Sequence, residues 1–281
     1  MQRWIKLALL CWALCGLTYA QANEHAPLRI GLTAVFLEEQ TALIHSWQLY
    51  LESRLNRRVS FVQRASYREI IVLLKNGKLD FAWLCGYPYI TNKKFLRLLA
   101  VPVYHGKPTY QSYLIVPADD RKTRSIVDLK GKLFAFSDPD SNSGYLVPVY
   151  ELNKLNKKPD TFFGKTFFTW AHSKVIEAVA SGVAQGGAVD GYIWDSQAIR
   201  HPELTSQTRI VNKSPEFGFP PIVSRRSMAT TEVNTLRAVL LFMQRDEEGR
   251  KLLEKMNLDG FVSGNDKMFE TIAAMALKVA N

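Results

Sequence analysis

Small hydroxyl and amide side chains stand where a predicted strand gives way to a predicted helix. The strand covers 133–136, and Ser141, Asn142 and Ser143 follow it at the helix start. Such side chains cap helices, and the free N–H groups of a helix start, with the positive end of its dipole, bind anions. Gly144 lets the backbone approach a ligand closely. The stretch predicts an oxyanion site, although a simple capped helix start would use the same residues.

A second strand-to-helix junction carries a histidine. A strand is predicted over 166–170 and a helix over 173–181, with His172 between them. An imidazole can donate a hydrogen bond to an oxyanion or accept one from a protonated oxyanion. Asp190, in the predicted strand 187–193, could accept the proton of a partly protonated oxyanion or pair with a cationic substituent. A surface histidine and a capping carboxylate are the structural alternatives for these two residues.

A third group follows a buried strand that is predicted over 79–84. Tyr87 and Tyr89 can supply hydroxyl donors, and Cys85 can supply a soft ligand. Packing in the core is the alternative for all three, and it is favoured for Cys85 because free cysteine is among the most buried residue types.

Two α/β blocks must position these candidates. In the first block strands and helices alternate, which predicts a mostly parallel sheet covered on both faces. Its predicted elements are a strand over 28–32, a helix over 39–55, a strand over 59–62, a helix over 67–76 and the strand over 79–84. The second block holds the strands and helices of the first two candidate groups and a helix over 143–155. Extended structure over 102–116 joins the blocks, and a helix over 231–256 follows them.

This order predicts an α/β fold with two lobes. Lobe 1 is expected to comprise 23–116 and 211–281, and lobe 2 to comprise 117–210. Ligands of open α/β sheets bind beyond the carboxyl ends of the strands. Two such sheets that face each other predict a closing ligand cleft between the lobes.

The first 22 residues have the layout of a secretory signal peptide. Two basic residues precede an uncharged apolar run over 7–17, which is shorter than the ~20 apolar residues of a membrane-spanning helix. Small residues come next and predict cleavage after Ala20 or Ala22. Cleavage would leave Cys85 as the one cysteine, so the predicted mature chain has no internal disulfide.

The charges and motifs favour a binding protein. The chain carries 36 Lys and Arg against 26 Asp and Glu, a formal net charge of +10. Because the basic residues are scattered singly or in pairs, no nucleic-acid surface is predicted, whereas a mild positive field would speed the capture of anions. The sequence has no nucleophile elbow, phosphate-binding P-loop or metal-ligand spacing. We therefore expect neither enzymatic activity nor a metal or cofactor.

Several short motifs occur together along the chain. In order they are Arg29-Ile-Gly-Leu32, Tyr67, Asn76-Gly-Lys-Leu-Asp-Phe-Ala-Trp83, Gly86-Tyr-Pro-Tyr89, Lys107-Pro-Thr-Tyr-Gln-Ser112, Asp128-Leu-Lys-Gly-Lys132, Ser141-Asn-Ser-Gly-Tyr-Leu-Val-Pro148, His172, Asp190, Asp246-Glu-Glu-Gly249 and Asp259-Gly-Phe261. By their order and spacing, the chain resembles the phosphate/phosphite/phosphonate solute-binding proteins of ABC transporters from about Leu28 to about Phe261.

The resemblance implies a two-lobed periplasmic-binding-protein fold of type 2, with mixed sheets flanked by helices. In that family a phosphonate-type group is held at helix N-termini. The positions that match its binding residues are Ser141, Ser143 and His172, helped by Tyr67, Tyr87, Tyr89 and Asp190. The implied protein is a monomer that presents its ligand to the permease of an importer. Presentation to a membrane histidine kinase is the alternative role.

Three positions depart from the family pattern. Asn142 stands where the family usually has threonine, Gln185 where an acidic residue is common, and Cys85 where a small residue is frequent. A cysteine in the cleft admits a thiophilic oxyanion such as arsenite, which a branch of the resembled family binds. We expect a phosphorus oxyanion, with arsenite as the alternative.

Overall fold

A computed structural model describes residues 26–33 and 41–280. The predicted signal peptide, 1–22, lies outside the described residues. Within those two ranges, no helix is long and apolar enough to cross a membrane.

Strands and helices alternate along the described part of the chain. The strands are β1 (Leu28–Leu32), β2 (Val59–Gln63), β3 (Phe81–Trp83), β4 (Leu96–Val103), β5 (Thr109–Tyr110), β6 (Ser112–Pro117), β7 (Leu133–Phe136), β8 (Lys165–Phe168), β9 (Gly186–Asp190), β10 (Thr208–Lys213), β11 (Phe217–Gly218), β12 (Ile222–Arg225) and β13 (Gly260–Ser263). The α-helices are α1 (Thr41–Leu55), α2 (Tyr67–Lys75), α3 (Gly86–Thr91), α4 (Val147–Asn153), α5 (Pro159–Phe162), α6 (His172–Ala180), α7 (Gly191–Arg200), α8 (Pro202–Thr205), α9 (Thr230–Phe242), α10 (Glu247–Lys255) and α11 (Glu270–Ala280).

Two mixed sheets carry these helices. The first has the strand order β13-β4-β12-β3-β1-β2, in which β1 runs parallel to β2 and β3 while β12, β4 and β13 join in antiparallel pairs. The second has the order β10-β6-β9-β7-β8, with β7 parallel to β8 and β9. Apolar faces of the helices cover both sheets, and this burial is the main force that holds each lobe together. The predicted α/β fold with two lobes is confirmed.

A short ladder between β5 and β11 lies where the chain passes between the two sheets. Phe217 pairs with Tyr110, and Gly218 pairs with Thr109. The expected lobe boundaries at 116/117 and 210/211 fall inside β6 and β10, which are both strands of the second sheet. We therefore propose that the lobes divide at the β5–β11 ladder.

Polar caps end two predicted elements earlier than their apolar patterns suggest. The strand predicted over 187–193 stops at Asp190, because its carboxylate accepts the N–H of Tyr192 and starts α7. The helix predicted over 231–256 is two helices, because Asp246 caps α10 by accepting the N–H of Gly249 at 3.1 Å.

Asp80 joins three parts of the first sheet. Its carboxylate accepts the backbone N–H of Arg29 at 3.0 Å and two guanidinium N–H groups of the same residue at 2.9 and 3.1 Å. Arg225, at the end of β12, adds a further bond at 3.0 Å. Burial opposes ionisation of this carboxyl, but the bonds from Arg29 and Arg225 outweigh it and lower the pKa of Asp80.

Candidate functional site

The candidate residues follow the carboxyl ends of neighbouring strands. Cys85 lies two residues beyond β3, Ser141 to Ser143 lie beyond β7, His172 lies beyond β8, and Asp190 ends β9. Because β7, β8 and β9 are parallel, their carboxyl ends open at one edge of the second sheet. This is the edge at which open α/β sheets bind ligands.

The helix after β7 begins with a π-helical turn over Asn142–Leu146. The carbonyl of Ser141 accepts the N–H of Leu146 at 2.9 Å, five residues on, and its side-chain oxygen accepts the N–H of Gly144 at 3.0 Å. Gly144 packs so closely on Ser137 that a Cβ atom built there would lie 1.9 Å from the serine Oγ. The wide turn therefore needs a glycine at this position, as its close approach to Ser137 requires.

Cys85 bridges from the first sheet to this turn. Its buried Sγ accepts the backbone N–H of Asn142 at 3.2 Å and lies 4.0 Å from the hydroxyl of Tyr110. The Asn142 amide donates to that same hydroxyl at 3.0 Å. Burial raises the pKa of the Cys85 thiol to about 11, so the group is a neutral thiol at physiological pH.

His172 and Asp190 form a second connected pair. The Nδ1 atom of His172 accepts the backbone N–H of Asp190 at 3.1 Å, which assigns the ring proton to Nε2. Burial lowers the pKa of His172 to about 3 and raises the pKa of Asp190 to about 8. At neutral pH both groups are therefore uncharged, and both can donate a hydrogen bond.

Tyr67 brings the first lobe to the same place. A reciprocal cap between Ser66 and Glu69 starts α2, so that Tyr67 is its first residue. The Tyr67 N–H donates to the carboxylate of Asp138, a residue of the second lobe, at 3.2 Å. Burial raises the Tyr67 pKa far above its ordinary range, and repulsion from the acidic groups around it adds to the effect. These groups are Cys85, Asp138, Asp190 and Tyr110. The phenol hydroxyl thus remains a donor at any physiological pH.

Together these side chains form a buried group that we call the cleft cluster. Its members are Tyr67, Cys85, Tyr110, Asn142, Ser143, His172 and Asp190. Three of its polar atoms are buried without a hydrogen bond of good geometry: the Tyr67 hydroxyl, the Asn142 Oδ1 and the Ser143 Oγ, which faces the Tyr110 hydroxyl. An unsatisfied buried polar group costs about 1–3 kcal/mol. The cleft cluster is therefore the candidate site for a polar ligand.

The cleft cluster contains no cationic side chain. Among the described residues, no lysine or arginine is buried, and no three His, Cys, Asp or Glu side chains are grouped so that they could hold a metal ion. Arg68, the nearest arginine along α2, is exposed and pairs with Asp140 at 3.2 Å. A bound anion would meet neutral donors and helix starts in place of a positive side chain.

Some predicted candidates lie elsewhere. The Tyr89 hydroxyl donates to Asp266 at 2.5 Å, and its ring packs on Phe269, so the structure does not bring it into the cleft cluster. Tyr87 is half-buried, and burial, with a smaller contribution from the negative charge of Asp140, raises the pKa of its phenol. The side-chain oxygen of Gln185 accepts the N–H of Leu133, at the far end of β7.

Tyr110, Ser137 and Asp138 were not predicted as site residues. Tyr110 lies in the motif 107–112, which marked the stretch but not the role of its tyrosine. Ser137 and Asp138 lie in the strand-to-helix junction beside Ser141. Their contacts with Gly144 and Tyr67 arise from how the chain folds there, so a spacing rule alone would not find them.

A family comparison agrees with this geometry. Residues 30–269 match the family described as "ABC transporter, phosphonate, periplasmic substrate-binding protein". The chain belongs to this family. It is thus of the class of periplasmic substrate-binding proteins of ABC transporters, and the family predicted from the sequence motifs is confirmed.

Individual relatives are similar to this chain over most of its length. The phosphonates-binding periplasmic protein of Escherichia coli is 25% identical over 92% of this chain and 78% of its own. The phosphate-import protein PhnD of Mycolicibacterium smegmatis is 32% identical over 74% of this chain and 70% of its own. The crystal structure of a binding-protein component of an ABC phosphonate transporter from Pseudomonas aeruginosa has a TM-score of 0.84 at 23% identity, covering 91% of this chain and 87% of that one. This likeness confirms the fold.

Proposed function

We propose that the cleft cluster captures a small phosphorus oxyanion, a phosphonate, phosphite or phosphate, for an ABC importer. The observation that carries the proposal is the set of buried polar atoms on Tyr67, Asn142 and Ser143 that lack a hydrogen bond of good geometry. The names of the relatives support the ligand class, since one binds phosphonates and another imports phosphate.

Each group has a distinct role in the proposed complex. The Ser143 hydroxyl, the π-helical turn, the His172 Nε2–H and the Tyr67 hydroxyl donate to the ligand oxygens. The Asn142 side chain can turn its amide so that it accepts from Tyr110 and donates to the ligand. Because donors come from both lobes, a bound anion stabilises the closed form of the cleft.

Capture requires that closure and binding be coupled. The Tyr67 N–H to Asp138 bond, the Arg68–Asp140 ion pair and the Cys85–Asn142 bond all join the two lobes. These contacts close over the cleft cluster, so we infer that the ligand is released when they separate. The closed form would then be the one that docks on the permease, with the protein acting as a monomer.

Ser143→Ala and His172→Ala are expected to weaken oxyanion binding, each by about 1.5–3 kcal/mol, or roughly 10- to 150-fold, because each removes a hydrogen bond to a charged ligand. Thermal shift and calorimetric titration with phosphite, methylphosphonate and phosphate measure the effect. Ser224→Ala is a matched control, since Ser224 is likewise a buried serine whose Oγ lacks a hydrogen bond of good geometry, but it lies in β12, outside the cleft cluster. Normal binding by both site variants, or the absence of a shift with all three probes, would contradict the proposal.

Arsenite is expected to leave the thermal midpoint of the wild-type protein unchanged. The Cys85 thiol is neutral, its sulfur already accepts the N–H of Asn142, and it is the one cysteine of the described residues. A thiophilic ligand binds the thiolate and not the neutral thiol. Titration of the wild type and of Cys85→Ser with arsenite checks this. A stabilisation of the wild type that Cys85→Ser loses would assign the site to arsenite.

The fate of the bound ligand and the membrane partner complete the proposed function. We propose that the ligand leaves unchanged, since the family consists of transport proteins, and that a membrane permease is the partner. Recovery of the bound probe by phosphorus NMR tests the first point. Binding of the ligand-bound protein to a permease, without binding to a histidine kinase, would distinguish the importer role from the sensory role.

A further inference from the structure

We propose that the cleft cluster holds its phosphorus oxyanion with a single net negative charge: a monoanionic ligand beside a neutral Asp190 carboxyl. The inference rests on the proposed function and specifies the form of the ligand that the site accepts. A ligand that cannot keep a proton, such as sulfate, would be excluded by the same arrangement.

Asp190 has no compensating positive charge among the buried residues of the described part of the chain. The carboxyl is buried, and one of its oxygens accepts the Tyr192 N–H at 2.9 Å. The groups that face it are the thiol of Cys85 and a set of phenols, those of Tyr67, Tyr104, Tyr110, Tyr113 and Tyr192. None of these is positive, and no described lysine or arginine is buried near them.

The neighbours of Asp190 on its own lobe add no positive charge either. His172 is held neutral, because its Nδ1 accepts the Asp190 N–H. The charged group that acts on Asp190 is Asp195, a carboxylate that accepts the hydroxyls of Tyr104 and Tyr113 at 2.7 and 2.9 Å. The cation on this side, Lys213, donates to the Tyr113 hydroxyl at 3.1 Å and makes no bond to Asp190. The negative charge of Asp195 disfavours ionisation of Asp190 and repels a second charge on the ligand.

A dianionic ligand would be costly in the cleft cluster. A buried charge without a cationic partner is strongly disfavoured, and a like charge within a few ångströms adds to the cost. A monoanion is served by the donors of Ser143, His172 and the π-helical turn, while a dianion beside an ionised Asp190 would place three negative charges among neutral groups. Two protons are therefore kept in the complex, one on the ligand and one on Asp190.

Two protons retained in the complex make oxyanion affinity depend on pH. Binding raises the pKa of each group above its value in the free state. The affinity is therefore highest at a pH below the free-state pKa values of both groups, and it falls as the pH rises through those two values. Above both, the association constant drops about 100-fold per pH unit in the wild type, a factor of about ten for each proton. In Asp190→Asn one of the protons is fixed as part of a neutral amide, so the drop is about tenfold per pH unit.

The test uses phosphite as the probe, because its second proton has dissociated at alkaline pH. Dissociation constants are measured by calorimetry from about pH 7 to about pH 9.5, above the range in which Asp138, whose pKa is raised to about 6 by burial, changes charge. The slopes are compared above about pH 8, the pKa to which burial raises Asp190. Wild type, Asp190→Asn and the control Asp160→Asn are compared; Asp160 is exposed and lies on α5, outside the cleft cluster. The control should keep the steeper wild-type dependence.

Proton uptake gives a second measurement on the wild type alone. Calorimetry at about pH 9 in buffers of different ionisation enthalpy is expected to find nearly two protons taken up for each phosphite bound. Uptake of one proton or none, equal pH slopes in wild type and Asp190→Asn, or loss of all binding in a folded Asp190→Asn variant would overturn the inference and leave the proposed function intact. Failure of the wild type to bind phosphite, phosphate or methylphosphonate at any pH would instead overturn the proposed function.

Discussion

Gly144→Ala is expected to abolish high-affinity oxyanion binding. The added Cβ would lie 1.9 Å from the Ser137 Oγ, 2.7 Å from its Cβ and 3.2 Å from the carbonyl oxygen of Ala188, so the π-helical turn must move. That movement takes Asn142 and Ser143 away from the ligand at once. The loss of two hydrogen bonds to a charged group corresponds to at least about 3 kcal/mol, roughly 150-fold or more in affinity. Calorimetric titration with phosphite or methylphosphonate measures it.

Two further variants separate a moved site from a damaged fold. Ser137→Gly combined with Gly144→Ala removes the side chain that the new Cβ would strike, so part of the affinity should return. Gly264→Ala introduces a comparable clash, 2.2 Å from Leu98, in the first lobe beyond β13, and is expected to lower stability without changing affinity. Wild-type affinity in Gly144→Ala would show that the turn does not position the ligand.

Asp80→Asn is expected to lower the free energy of unfolding by about 2–3 kcal/mol at neutral pH. The change removes the charge that binds Arg29 and Arg225, which are both partly exposed, so solvent screens some of the loss. Since the folded-state pKa of Asp80 is lowered below its ordinary value of 3.8, the stabilisation is complete above that value and is lost as the pH falls through the folded-state pKa. The stability difference between wild type and variant should therefore shrink in acid.

Urea unfolding of the wild type and Asp80→Asn, at neutral pH and again near pH 3, checks this expectation. Asp160→Asn serves as the control, because Asp160 is exposed on α5 and should alter stability by less than about 0.5 kcal/mol. A stability difference that stays constant with pH would mean that the charge of Asp80 does not hold β1 and β12 together.

The family and the general location of the site could be predicted from local features. Ser141, Asn142 and Ser143 carry small polar side chains directly after an apolar strand, and this type of junction is a property of neighbouring residues. His172 comes after a further strand in the same way, whereas Asp190 was predicted inside a strand that in fact ends at it. Because parallel strands place their carboxyl ends at one edge, the convergence of these residues could be predicted as well.

The predicted ends of two elements were wrong because one polar residue overrides an apolar pattern there. The apolar residues after Asp190 continue the strand pattern, yet the carboxylate caps a helix there. The break at Asp246 in the last predicted helix has the same cause. Tyr89 was placed with the ligand by the motif 86–89, but its hydroxyl reaches Asp266, which is 177 residues away along the chain.

The amino-acid sequence by itself determined the two α/β lobes, the family and the chemistry of capture, because strand patterns, caps and hydroxyl-rich junctions depend on neighbouring residues. Only the tertiary structure decided which of those groups meet. It brought Tyr110 to Asn142, Cys85 to the π-helical turn and Asp138 to the N–H of Tyr67. It also decided that Asp190 and His172 are buried without a cation, since burial and long-range contacts set charge states that spacing along a chain does not encode.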